Sequence, residues 1–267
     1  MPYLSANISL MFTEHDFLNR FAAASNTGFQ GVEFMFPYEY KAEQIRTVLD
    51  RYNLTPVLFN LPPGDLQKGD RGLACLPDRI NEFRESVDVA LQYAAALGCR
   101  QLHCMSGVTS QEIKAADTME VYEENLQYAA TVLGKEGITV LIEPINQHDM
   151  PGYVMHSIKS AAEIIERIGS DHLGLQYDAY HMEKMQENLE ATLTDYLPLV
   201  RHIQIADAPG RHEPGTGNID FQKFFELLNR LEYRHWVGCE YQPLQNTNDG
   251  LIWMDKYAIA MTTETPL

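Results

Sequence analysis

Four oxygen-bearing side chains lie at or near the ends of short apolar runs in the second half of the sequence. They are Glu143, Asp178, Gln204 and Glu240. A charge at such a position is costly to bury unless it is paired or binds a cation. If the runs are neighbouring parallel strands, the four side chains meet at one edge of the sheet, and hard oxygen ligands without cysteine favour Mg²⁺ or Mn²⁺ over zinc. The alternative is that each is an ordinary buried polar residue, satisfied by a neighbouring Lys, Arg or backbone group.

The elements that would position these side chains form an alternating series. Eight short apolar or alternating runs are each followed by a stretch with helical periodicity. The predicted strands are 3–10, 31–36, 56–61, 101–107, 139–146, 173–180, 201–206 and 236–241. The predicted helices are 14–26, 41–52, 78–97, 118–135, 157–168, 187–197, 220–231 and 247–261. Such alternation indicates parallel pairing through right-handed crossovers.

Eight strand and helix units are the number that closes a barrel. The chain has 267 residues, close to the roughly 250 of a typical (β/α)8 barrel. No G-x-G-x-x-G or G-x-x-x-x-G-K-[ST] motif follows any predicted strand, which weakens a nucleotide-binding open sheet. We therefore predict an α/β protein, a (β/α)8 TIM barrel, with residues 1–267 forming a single domain. The Gly- and Pro-rich loop 62–77 is long enough to form part of the rim.

The overall charge restricts the partners. A formal net charge of −17 would repel phosphate backbones and anionic membranes, so neither nucleic acid nor a membrane is an expected partner. No apolar segment approaches the ~18 residues of a membrane span, and the amino terminus lacks the pattern of a secretory signal. We expect a cytoplasmic protein that acts on a small molecule. We expect the apolar residues Leu251, Ile252 and Trp253 of the last predicted helix to be exposed, which is compatible with a homo-oligomer.

Several short motifs resemble a known family. They are E-P-I-N from Glu143, D-A-Y-H from Asp178, H-I-Q from His202, the stretch from Arg211 through G-T-G-N-I-D-F, G-C-E-Y from Gly238, N-I-S-L-M-F-T-E from Asn7 and V-E-F-M-F-P from Val32. Together they are similar to the signature positions of the xylose isomerase-like TIM barrels, and most like the hydroxypyruvate isomerase branch. The resemblance runs from about residue 3 to residue 257.

This resemblance implies a metal held by Glu143, Asp178, Gln204 and Glu240, with the two glutamates also acting as acid and base. It implies interconversion of hydroxypyruvate and tartronate semialdehyde through an enediolate, which requires this kind of proton traffic. A 2-oxo-tetronate isomerase would use the same chemistry. A ketose 3-epimerase and a non-catalytic barrel that binds a sugar acid remain alternatives. The wider family's sugar epimerases resemble this chain but carry a histidine where Gln204 stands. The glutamine weakens the epimerase alternative, and its amide oxygen, a harder ligand than imidazole, suits Mg²⁺.

Four further residues are candidates for binding the oxo-acid substrate. Arg211, after the seventh predicted strand, could hold a carboxylate through two hydrogen bonds, or pair with Glu213 at the surface. His181 could bind a substrate oxygen or orient the metal site, and His212 is a weaker candidate for the role of Arg211. Glu33, at the end of the second predicted strand, could line the pocket or be a rim carboxylate. The remaining histidines include His103, for which a satisfied position in the core is the better interpretation.

Overall fold

A closed barrel of eight parallel strands forms the centre of the protein. The computed structural model describes residues 3–109 and 115–257. The strands are β1 (Tyr3–Asn7), β2 (Gly31–Phe34), β3 (Thr55–Asn60), β4 (Gln101–His103), β5 (Thr139–Ile142), β6 (Leu173–Asp178), β7 (Val200–Ile205) and β8 (Trp236–Cys239). They pair in sequence order, and β1 also pairs with β8. The predicted TIM-barrel fold is confirmed.

Helices follow the strands and cover the barrel. They are α1 (Phe17–Asn26), α2 (Ala42–Tyr52), α3 (Ile80–Leu97), α4 (Ala115–Gly134), α5 (Ile158–Ile168), α6 (Ala179–Lys184), α7 (Leu189–Tyr196), α8 (Phe221–Arg230), α9 (Thr247–Gly250) and α10 (Trp253–Lys256). Short 3₁₀ turns span Leu66–Lys68, Pro77–Arg79 and Leu197–Leu199. Helix α6 is absent from the prediction. It begins directly after β6, where the Asp178 side chain accepts a hydrogen bond from the Tyr180 N–H.

The strands are shorter than the apolar runs that predict them. Strand β5 ends at Ile142 and β8 at Cys239, so Glu143 and Glu240 are the first residues beyond their strands. Asp178 is the last residue of β6, and Gln204 is the next to last of β7. All four therefore stand at the carboxyl end of the barrel, the end at which (β/α)8 barrels carry their active sites.

The carboxyl-terminal segment differs from its prediction. Two short helices, α9 and α10, replace the predicted helix 247–261, of which residues 258–261 lie outside the described residues. Trp253 is 2% exposed, because its ring stacks on Phe225 and its indole N–H donates to the Tyr241 hydroxyl. The expectation that Trp253 is an exposed apolar residue is wrong, whereas Ile252 is 73% exposed.

Two further properties concern the described residues and their cysteines. Their helices include none that is both long and apolar enough to cross a lipid bilayer. The four cysteines are buried and carry free thiols.

Candidate active site

A cavity of about 380 Å³ opens at the carboxyl end of the barrel. Its charged and titratable lining includes Glu143, Glu240, Arg211, His181, His103 and Arg71. Glu143 and Glu240 are almost fully buried, with 4% and 6% of their surface exposed. Two carboxylates facing one buried cavity are the arrangement that proton transfer to and from a small substrate requires.

Asp178 lies beside Glu143 and His181, two of the residues that line this cavity. One ligand atom from each of the three lies within 4.8 Å of the others. The imidazole Nε2 of His181 is 3.6 Å from Glu143 Oε1 and 3.6 Å from Asp178 Oδ2. Both oxygen atoms are buried without a hydrogen-bond partner. Because a buried carboxylate oxygen is costly to leave unsatisfied, these two atoms are suited to a cation.

The hydrogen bonds of Asn146 determine the role of His181. The Asn146 Oδ1 atom accepts hydrogen bonds from the backbone N–H groups of His148 and Asp149, so its Nδ2 group faces the other way. That Nδ2 donates to His181 Nδ1 at 2.7 Å. The His181 proton is therefore assigned to Nε2, which points towards Glu143 and Asp178. In this tautomer His181 is a hydrogen-bond donor at the cavity rather than a metal ligand.

Arg211 connects the second glutamate to the same cluster. Its Nη2 atom is 2.8 Å from Glu240 Oε2 and 3.7 Å from Asp178 Oδ2. Its guanidinium carbon also lies over the Tyr180 ring, 5.1 Å from the ring centre. Glu213, the alternative partner for Arg211, instead accepts a hydrogen bond from the Leu244 N–H. The positive charge of Arg211 is thus already engaged with carboxylates of the site.

Gln204 lies one layer deeper and is held on both sides. Its Nε2 donates to Glu33 Oε1 at 2.7 Å, and its Oε1 accepts from Gln176 Nε2 at 2.6 Å. Gln176 Nε2 is also 2.9 Å from Glu143 Oε2. An amide oxygen has two lone pairs, so the Oε1 of Gln204 retains one for a cation.

Glu33 is inside the barrel and not among the residues that line the cavity. Its carboxylate accepts hydrogen bonds from Ser5, Asn7 and Gln204 and lies 2.8 Å from His202 Nε2. Asn7 also donates to Glu240 Oε1 at 3.0 Å. A chain of hydrogen bonds therefore runs around the barrel interior from Glu240 through Asn7, Glu33, Gln204 and Gln176 to Glu143. The sequence analysis considers Glu33 as a residue that lines the pocket. In the structure it instead lies beneath the site and holds other residues of the site through hydrogen bonds.

Burial and the charges of neighbouring residues shift the pKa values of the site's carboxyl groups. Burial, followed by repulsion from Glu240 and Asp178, raises the pKa of Glu143 well above its ordinary value of 4.5. Burial raises the pKa of Glu240 to about 8 and that of Asp178 to about 6, and Arg211 opposes both shifts. Burial and Arg211 lower the pKa of His181 well below 6.5, so its ring is neutral at pH 7. Without an added cation, the site therefore retains protons on its glutamates.

The loop after β7 sets the position of Arg211 and directs His212 elsewhere. The Asp207 carboxylate accepts hydrogen bonds from the N–H groups of Gly215, Gly217 and Ile219. The backbone N–H groups of this glycine-rich turn are thus satisfied by the chain's own carboxylate. His212 places Nδ1 2.8 Å from the Gln242 carbonyl oxygen and does not line the cavity. The structure does not bring His212 to the site.

Several residues of the site are absent from the sequence-based candidates. Gln176 bridges Glu143 and Gln204, Asn146 orients His181, and Arg71 lines the cavity from the loop after β3. His103, which the sequence analysis interprets as a satisfied core residue, also lines the cavity, and its Nε2 has no hydrogen-bond partner among the described residues. Burial lowers its pKa to about 3. Asn146 could have been found, because it closes the E-P-I-N motif. The others carry no local signal, since their roles depend on neighbours from other strands.

Known proteins of one family are similar to this chain over nearly its whole length. Residues 21–257 match a family model described as xylose isomerase-like TIM barrel. A hydroxypyruvate isomerase of Escherichia coli (strain K12) is 46% identical over 96% of this chain and 100% of its own length. A 2-oxo-tetronate isomerase of Cupriavidus necator is 42% identical over 96% of this chain and 99% of its own length.

Solved structures show the same architecture. A Brucella melitensis protein described as AP endonuclease, family 2, has a TM-score of 0.93 at 44% identity, covering 96% of this chain and 99% of that one. An E. coli 3-keto-D-glucoside 4-epimerase has a TM-score of 0.76 at 20% identity, covering 96% and 99%. The second likeness concerns the fold alone.

Proposed function

This chain belongs to the xylose isomerase-like TIM-barrel family, and on that premise we propose that it is a hydroxypyruvate isomerase. The family match confirms the resemblance seen in the motifs. Relatives from 38% to 46% identical over nearly the whole chain are isomerases of short oxo acids. The observation that carries the proposal is the pair Glu143 and Glu240, buried beside one small cavity that also contains arginine.

The reaction moves the carbonyl group of hydroxypyruvate from C2 to C3. One glutamate takes a proton from C3, and the electrons of that C–H bond form the double bond of an enediolate. The other glutamate then delivers a proton to C2, while the hydroxyl proton of the C3 oxygen passes to the C2 oxygen. These transfers leave an aldehyde at C3 and a hydroxyl group at C2, which is tartronate semialdehyde. The Nε2–H of His181 donates a hydrogen bond to a substrate oxygen while that oxygen carries negative charge. The closed barrel below the cavity keeps bulk water away from these groups.

The donor set fits a divalent metal ion. Glu143, Asp178, Gln204 and Glu240 would hold it, and because every ligand atom is an oxygen, Mg²⁺ or Mn²⁺ is favoured over zinc. Mg²⁺ is the ion that we propose. Two of these oxygens, Glu143 Oε1 and Asp178 Oδ2, are buried without a partner, as expected of atoms suited to a cation. When bound, the ion would stabilise negative charge on the substrate's oxygen atoms. Arg211 would then share Glu240 with the metal.

The second candidate function is isomerisation of 2-oxo-tetronate, whose chain is one carbon longer. This candidate is favoured by the similarity of the chain to the Cupriavidus necator 2-oxo-tetronate isomerase, which is 42% identical. The chemistry and the residues would be unchanged, and only the fit of the longer chain would differ.

Separate incubation with hydroxypyruvate, 2-oxo-tetronate and the neutral ketose fructose tests the proposal. With Mg²⁺ present, we expect proton NMR to show an aldehyde product from hydroxypyruvate, with the highest kcat/KM of the three compounds. A higher kcat/KM for 2-oxo-tetronate would select the second candidate. Turnover of fructose alone would select an epimerase and overturn the proposal.

A further inference from the structure

Arg71 lines the cavity that holds Glu143 and Glu240, although it comes from a distant part of the barrel rim. It lies in the long loop between β3 and α3, not after the metal-candidate strands. We propose that Arg71 binds the carboxylate of the substrate and thereby makes the enzyme selective for oxo acids over neutral ketoses. This inference rests on the proposed isomerase function and names a residue and a substrate class for it.

The loop that carries Arg71 is anchored on both sides of this residue. The Asp70 carboxylate is held by Arg79 Nη1 at 2.8 Å and by the backbone N–H of Asp65 at 2.6 Å. Gly72 adopts a φ of +107° and packs so closely on the Met105 backbone that a Cβ atom would clash there. The backbone on both sides of Arg71 is therefore held in place, and this fixes the position from which the Arg71 side chain extends.

The guanidinium of Arg71 retains donors for a ligand. Its Nη1 atom donates to the carbonyl oxygens of Asp70 and Leu66, at 2.7 Å and 3.4 Å. Within residues 3–109 and 115–257, its Nε and Nη2 groups have no partner, and no carboxylate approaches within 4 Å. An arginine with two adjacent free N–H groups is well matched to a carboxylate, which it can bind through two parallel hydrogen bonds.

Arg211 is in the opposite condition. Its Nη2 already lies 2.8 Å from Glu240, and its positive charge is balanced by Glu240, Asp178 and Glu143. A substrate carboxylate placed on Arg211 would compete with these buried carboxylates and would bring a further negative charge beside them. The free arginine of the cavity, rather than the engaged one, is the better receptor for an anion.

This assignment explains how a strongly acidic protein binds an acidic substrate. With a net charge of −17 and carboxylates at the base of the cavity, an anion is repelled unless a local positive charge receives it. Dihydroxyacetone has the carbon skeleton of hydroxypyruvate but a hydroxymethyl group in place of the carboxylate. Arg71 should therefore distinguish these two compounds.

The experiment compares Arg71→Gln with Lys68→Gln, each assayed with Mg²⁺. Lys68 is in the same loop, its side chain is 83% exposed, and among the described residues it pairs with Asp65 alone. Because Lys68 does not line the cavity, this control removes one positive charge without changing the cavity. We expect Arg71→Gln to raise KM for hydroxypyruvate about 10- to 100-fold, as for loss of a charge-assisted hydrogen bond. Lys68→Gln should stay within about twofold of wild type. Deuterium exchange of dihydroxyacetone should be the same in all three proteins.

Binding of glycerate, measured by calorimetry, separates this inference from the proposed function. Glycerate has the carboxylate but no carbonyl group, so its affinity can be measured whether or not the protein is an isomerase. Arg71→Gln should lose about 10-fold or more in glycerate affinity, and Arg71→Lys should recover part of it. If wild type fails to turn over hydroxypyruvate but shows this pattern, the proposed function falls and the inference stands. If Arg71→Gln binds glycerate and hydroxypyruvate like wild type, or if wild type does not bind glycerate, Arg71 is not the carboxylate receptor.

Discussion

The two glutamates of the cavity are equally buried but have different neighbours. The groups within 4 Å that can donate a hydrogen bond to Glu143 are neutral: Gln176 Nε2 lies 2.9 Å from its carboxylate, and the imidazoles of His103 and His181 lie 3.6 Å from it. Glu240 has a permanent cation, Arg211, at 2.8 Å. One half of the site therefore contains its own positive charge, and the other half has none within 4 Å among the described residues.

This difference indicates where an added cation is needed. Arg211 opposes the effect of burial on Glu240, whose pKa rises to about 8, whereas burial and two neighbouring carboxylates raise that of Glu143 without an adjacent cation. An ionised Glu143 is thus unfavourable until a cation reaches the partnerless oxygens of Glu143 and Asp178. A divalent ion would place beside Glu143 the positive charge that Arg211 places beside Glu240.

The largest expected effect comes from removing either carboxylate. Glu143→Gln and Glu240→Gln preserve shape but cannot exchange a proton at neutral pH. We expect each to lower kcat by about 10²- to 10⁴-fold, the usual contribution of a general acid or base. Circular dichroism should show an intact barrel for both variants. Near-wild-type kcat in either variant would show that the glutamate replaced in it does not transfer a proton in the reaction.

A smaller effect is expected from Asn146→Ala, which acts on the Glu143 half through His181. Without the Asn146 side-chain amide, Nδ1 of His181 loses its 2.7 Å donor and keeps only the 3.5 Å contact with the Asn146 backbone N–H, so its proton is less firmly held on Nε2. Groups that orient a residue at the site typically contribute about 10- to 100-fold, so kcat should fall within that range. The KM for hydroxypyruvate should change little, because His181 acts on charge that develops during the reaction. Asn248→Ala, an exposed change in α9, serves as the control. A fall in affinity with unchanged kcat would contradict the assigned role of His181.

The fold and the strand-end residues follow from the sequence because they depend on local patterns. Alternation of apolar runs with helical periodicity predicts the barrel, and the polar residue at the end of each run predicts which side chains gather at one edge. The structure brings Glu143, Asp178, Gln204 and Glu240 to that edge. The observed strands end earlier than predicted, since the apolar runs continue into the loops that pack on the barrel.

The partners of those residues do not follow from the sequence. Glu33 looks like a pocket carboxylate because it is a charged residue in an apolar run, yet Ser5, Asn7, His202 and Gln204 surround it inside the barrel. These contacts join residues up to 171 positions apart in the chain, and no local pattern encodes them. Arg71 is missed for the same reason, as only the folded loop brings it to the cavity.

The smallest expected effect concerns stability without metal. The pKa of Glu240 is about 8 in the folded protein against an ordinary value of 4.5, so between these pH values the folded state holds a proton that the unfolded chain has released. The resulting stabilisation is complete below pH 4.5 and is lost as the pH rises through about 8. In the presence of a chelator, Tm should fall over this range more steeply for wild type than for Glu240→Gln. Glu166→Gln, a change at an exposed position, should follow wild type. Parallel curves for wild type and Glu240→Gln would contradict the pKa shift.

The most direct test of the account is to follow hydroxypyruvate isomerisation in D₂O by NMR, with Mg²⁺ present. If Glu143 and Glu240 transfer protons that exchange with solvent, tartronate semialdehyde should carry deuterium at C2, and both Gln variants should lose the exchange together with turnover. Product formed by wild type without deuterium at C2 would indicate direct transfer of hydrogen between the two carbons, and it would contradict the role assigned to the two glutamates.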